Sequence, residues 1–112
     1  MAYRGAVDGA RTVTEVASAG KANVRYDRGV QISLRAEPGM SAPLLLRTAL
    51  CHIAAANGEG TTNEADPLLV PGSTVRVDES ETGYVISVRT GDADSAAEAM
   101  RRAHAMMAVL AQ

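Results

Sequence analysis

"VRYDRGVQISLR" from Val24 to Arg35 and "VRVDESETGYVISVR" from Val75 to Arg89 repeat nearly the same text, and the fold turns on how this echo is read. Val24, Arg25 and Asp27 match Val75, Arg76 and Asp78 at a shift of 51 residues. Ile32, Ser33 and Arg35 match Ile86, Ser87 and Arg89 at a shift of 54, as do Ser41, Ala42, Arg47 and Ala49 against Ser95, Ala96, Arg101 and Ala103. The extra three residues fall in the "DESETG" turn. Apolar and polar residues alternate through each copy and then give way to helical spacing, which predicts strand, strand, helix, performed twice. Neither unit can cover its own apolar face. The expected fold is therefore α+β, a tandem ββα-ββα pseudo-repeat forming a four- to five-stranded antiparallel sheet with two helices on one face.

Local signals place the boundaries within a single domain, 1–112. An N-terminal arm, 1–21, carries "RTVTEVA", rich enough in β-branched residues for an edge strand that joins Ala22 through the "SAGK" turn. The first ββα unit spans 22–57, a connecting loop 58–72, and the second unit 73–112. Ser41, ahead of Pro43, is expected to cap helix one, which runs 41–57 and stops at Gly58. In "SAAE", Ser95 is expected to cap helix two, 95–111, with Glu98 reaching back. Within the loop, Leu68, Leu69 and Val70 are expected to plug the core or form a short strand.

Composition removes several functions from consideration. The aromatic residues are Tyr3, Tyr26 and Tyr84, so the core must be built from aliphatic side chains and alanine. A net charge of −2 gives no general attraction to nucleic acid. Ten of the eleven cations are arginine, Lys21 being the exception. The single cysteine, Cys51, rules out an internal disulfide framework and a multi-cysteine metal site. No run approaches the roughly 18 apolar residues of a membrane span, and no signal peptide is recognised, so the expectation is a soluble cytoplasmic protein with no membrane partner.

No constellation names an enzyme. His52 follows Cys51, but neighbours on a helix point about 100° apart, which is a poor arrangement for a nucleophile and its base. His104 falls on the stripe expected to face the core. Asp92 with Asp94, and Asp78 with Glu79, sit at a helix start and in a hairpin, where acids serve the backbone. "GEG", "PGM" and "PGS" are turn chemistry rather than a phosphate loop. No catalytic, cofactor-binding or metal-binding residue is assigned, and no cofactor is expected.

Two surfaces remain. If Val24, Tyr26, Val30, Ile32, Leu34, Val75, Val77, Tyr84, Ile86 and Val88 face the helices, Arg25, Arg35, Arg76 and Arg89 share the opposite face. That face can take phosphates, nucleic acid or an acidic partner, but a solvated face with pairs to Asp27 and Asp78 is the favoured reading. No aromatic stands among the arginines to stack a base. On helix one Leu46, Leu50 and Ile53 form the expected core stripe. On helix two Met100, Met107 and Leu110 do so. The remaining apolar residues, Leu44, Cys51, Met106 and Val109, exceed what one sheet needs and are the candidate protein interface. The functional expectation is a non-enzymatic interaction module or structural subunit that oligomerises or docks into a larger assembly. Its partner would be itself or another protein, with nucleic-acid or acidic-partner binding through the arginine face second and a small enzyme of unidentified class third.

"VRVDESETGYVISV" resembles a stretch of roadblock-type dimerisation domains, but a helix is expected after "RTGDADS" where those continue in strand, and their opening helix is missing. The plan of sheet and helices is similar to that of small tail-completion proteins of bacteriophages. That likeness is architectural and implies at most a particle component.

Overall fold

A computed structural model describes residues 6–19, 22–60 and 66–110, with side chains placed for 6–14, 28–60 and 66–108. The elements run β1 (Val7–Ala19), β2 (Ala22–Arg35), α1 (Ala42–Glu59), a 3-10 turn (Pro67–Leu69), β3 (Thr74–Glu79), β4 (Gly83–Arg89) and α2 (Ala93–Leu110). The strands form one four-stranded antiparallel sheet in the order β1-β2-β4-β3. The chain is therefore α+β with two helices, and "RTVTEVA" lies in an edge strand as expected.

The echo of the opening sequence resolves unevenly. "VRYDRGVQISLR" is one strand, not two, so 22–57 holds one strand and one helix rather than a ββα unit. The turn-like "DRG" is instead a β-bulge: pairing with β1 passes from Val13↔Gly29 to Thr14↔Asp27 and skips Arg28. Gly29 makes this possible. Its φ is 148°, and a Cβ there would lie 1.8 Å from the Val88 carbonyl oxygen. The bulge is tied down by Thr90, whose N–H and hydroxyl both donate to the Arg28 carbonyl, at 2.7 and 3.1 Å. "VRVDESETGYVISVR", in contrast, does fold back as the β3–β4 hairpin. Gly83 begins β4 where a Cβ would stand 2.0 Å from the Leu34 carbonyl oxygen.

β2 and β4 meet at the centre of the sheet in the register Val30↔Val88, Ile32↔Ile86, Leu34↔Tyr84. Val30, Ile32, Leu34, Ile86 and Val88 are buried and share one cluster with Ala49 of α1 and Ala99, Ala103 and Met106 of α2, so both helices cover the same face. α2 packs over β2 and β1, and α1 over β3. The 3-10 turn touches both helices and fills the space between them with Leu68, 1% exposed. Of the two expectations for this segment, core plug or strand, the plug is observed.

Helix boundaries and phases shift from expectation. α1 runs on through Gly58 and ends at Gly60, which takes the left-handed conformation at φ 68°. Ser41 caps its start, accepting from the Leu44 N–H at 3.2 Å. α2 is capped by Asp92 rather than Ser95: the Asp92 carboxylate accepts from the Ser95 N–H at 2.7 Å. Hydrogen bonds from the Ser95 backbone, then from its side chain, lower the Asp92 pKa from its usual 3.8. Glu98 does not reach back to close a box. It pairs with Arg101 and, at 2.7 Å, with Arg102.

Candidate interaction surfaces

α1 buries Leu45, Ala49 and Ala56, not the expected Leu46, Leu50 and Ile53. Leu46 is half-buried, Ile53 is partly buried but packs against the core cluster as expected, and Leu50 is exposed. Leu44 and Leu50, 36% and 50% exposed, are the large hydrophobic side chains left to solvent among the described residues. Cys51, Ala54 and Ala55 are exposed beside them, and Arg47 and Glu59 are the helix's only Arg, Lys, Asp or Glu residues. A helix with apolar residues on every side has no phase that a sequence pattern can read, and the buried stripe is turned by one position from the expected one.

α2 corrects the other half of the candidate interface. Ala96, Ala99, Ala103 and Met106 are buried, so Met106 belongs to the domain's own core and is not an outward contact. Their spacing of three, four and three is the helical signal that methionine and leucine positions alone obscure. Met100 and Met107 are only partly buried and flank this stripe, while His104, expected to face the core, is exposed. The side chains of Val109 and Leu110 lie outside the described residues.

The open face of the sheet holds Arg35, Arg76 and Arg89, all exposed; the side chains of Arg25, Tyr26 and Asp27 lie outside the described residues. The arginines do not all converge: Arg76 and Arg89 are diagonal neighbours across the β3–β4 pair, but Arg35 stands apart from Arg89. Arg35 pairs with Gly83 and Arg89 with Gly29, six residues apart along β2 and so about 20 Å. Arg35 bonds Asp8 at 2.8 Å, and Arg76 contacts Asp78 at 3.0 Å. Arg11, not anticipated, adds a cation here and donates to the Gln31 side chain at 2.8 Å. Two of the proposed anion ligands thus already hold carboxylates.

His52 is engaged away from Cys51. Its Nε2 lies 2.5 Å from Asp66 Oδ2, while Asp66 Oδ1 accepts from the Leu68 N–H at 3.0 Å. One carboxylate therefore joins α1 to the start of the 3-10 turn. Beside that turn a cavity of about 290 Å³ is lined by Ile53, Asn57 and residues 68–73. Among the described residues no group of three or more His, Cys, Asp or Glu side chains could hold a metal ion, and no helix is long and apolar enough to cross a membrane. No protein-family model, curated protein or solved structure matches the chain.

Proposed function

We propose that this chain is a non-enzymatic structural subunit that associates with further copies of itself through the outward side of α1. The observation that carries the reading is the exposure of Leu44 and Leu50 on an eighteen-residue helix whose only Arg, Lys, Asp or Glu residues are Arg47 and Glu59. A helix serving only to cover the sheet would direct charge to solvent. Cys51, Ala54 and Ala55 leave room for close approach of a second helix, and the leucines supply the apolar contact. A duplicated ββα ancestor, with β1 and β2 rather than two halves of 22–35 as its first two strands, fits the same view. Ile32 and Ile86, equivalent at the shift of 54, stand opposite one another in the central register, as an internal two-fold relation would require. Anion binding through the sheet face ranks second, because Asp8 and Asp78 offset Arg35 and Arg76.

The test is sedimentation equilibrium of the full chain over a wide concentration range, with Leu50→Glu and Leu44→Glu beside it. A carboxylate carried into an apolar contact without a partner costs several kcal/mol, while on a solvated helix it costs little. The expected result is a concentration-dependent oligomer that Leu50→Glu shifts to monomer with unchanged circular dichroism, while Leu44→Glu, about 120° around the helix from it, has the smaller effect. A chain that is monomeric at the highest concentration refutes the reading.

A further inference from the structure

β3 is an edge strand: β4 pairs with one side of it, and no described strand pairs with the other. The hairpin-closing bond, from Ser80 N–H to the Gly83 carbonyl at 2.9 Å, sets the alternation along it. Thr74, Arg76 and Asp78 turn their backbone groups to β4, while Val75, Val77 and Glu79 turn theirs away from the sheet. The pairing of β3 with β4 runs without a bulge, and β3 contains neither proline nor lysine. Its protection is limited to its short length and to the charges of Arg76, Asp78 and Glu79.

We infer that two copies join by antiparallel pairing of β3 with β3 about a two-fold axis at Val77, making one eight-stranded sheet. The inference rests on the self-association reading above and specifies its geometry. Charge selects the register. With Val77 opposite Val77, Arg76 of each copy stands opposite Asp78 of the other. The next permitted register to one side places Arg76 against Arg76, and to the other Asp78 against Asp78, both unfavourable. Val77, half-buried on the helix side, becomes covered by Val77 of the second copy, while Val75 stands opposite Glu79.

The helices agree with this geometry. Leu50 and Ala54, two positions either side of His52, lie about 200° around α1 from it. His52 faces the 3-10 turn, which touches both helices, so Leu50 and Ala54 point the other way, past β3. α1 lies over β3, so pairing β3 with β3 brings the two α1 helices side by side across the new junction.

Sedimentation of the full chain with four variants tests the register. Arg76→Asp and Asp78→Arg alone should each weaken dimerisation about tenfold or more, because two attractive cross-strand pairs become repulsive. Arg76→Asp combined with Asp78→Arg in one chain should restore it to within a few-fold of the parent. Val77→Pro removes an outward N–H that β4 does not use, and should leave a folded monomer by circular dichroism. If Leu50→Glu dissociates the dimer while the single charge reversals do not, edge pairing is overturned and the α1 reading stands. If the reversals weaken association but the combined change fails to restore it, the Val77-centred register is wrong. A chain monomeric throughout overturns both.

Discussion

Leu68 belongs to a three-residue turn at the end of a polar connection, yet only 1% of its surface is exposed and the turn touches both helices. Truncating it to alanine removes the apolar material that fills the space between α1 and α2. The surroundings cannot collapse freely onto the gap, because Asp66 holds the turn through the Leu68 N–H and through His52. A buried Leu→Ala change with little relaxation costs about 2–5 kcal/mol, and the rigid anchoring here argues for about 3. For a domain of this length that lowers Tm by about 12 °C. Leu69, half-buried in the same turn, is the internal control and should lose about 1 kcal/mol or less on the same truncation. Urea unfolding of both variants, followed by circular dichroism with fitted slopes, measures the difference. Equal losses, or a Leu68→Ala loss below about 1 kcal/mol, would show that the turn lies on the domain rather than in its core.

Gly29→Ala should be among the most damaging single changes, since the new Cβ would meet the Val88 carbonyl oxygen and the backbone of both central strands would have to part; a thermal melt checks the loss. Met106→Glu should unfold the chain, because it places an unpaired carboxylate at a position 5% exposed, whereas Leu50→Glu should leave the monomer folded; circular dichroism of the two variants separates core from surface. The Asp92 carboxylate has a lowered pKa in the folded chain, so its ionised form stabilises α2 above the unfolded value of 3.8, and that contribution disappears as pH falls through the folded pKa. The Tm advantage of the parent over Asp92→Ala should accordingly be full at pH 7 and narrow in strong acid.

Strand and helix content followed from periodicity, because alternation in "TVRVDE" and "GYVISVR" and the spacing after Ser41 and Asp92 are local properties of the chain. The cap at Ser41 and the apolar role of Leu68 were legible for the same reason: one is hydrogen-bond chemistry over three residues, the other a hydrophobic run with nowhere else to go. Three matters depended on tertiary structure. "DRG" is turn chemistry in isolation, and only the pairing of Arg28 and Gly29 with Thr90 and Val88, some sixty residues away, turns it into a bulge within one long strand. The phase of α1 was open because leucine and alanine surround its axis; its position over β3, with the 3-10 turn on one side, decides that Ala49 is buried and Leu50 is not. The grouping of charges was likewise undetermined by alternation, which assigns Arg35, Arg76 and Arg89 to one face without distances. The strand order sets Arg35 apart beside Asp8 and leaves Arg76, beside Asp78, as a diagonal neighbour of Arg89, and the same order leaves β3 at an edge, because edge and centre are properties of which strands pair and not of any strand's own residues.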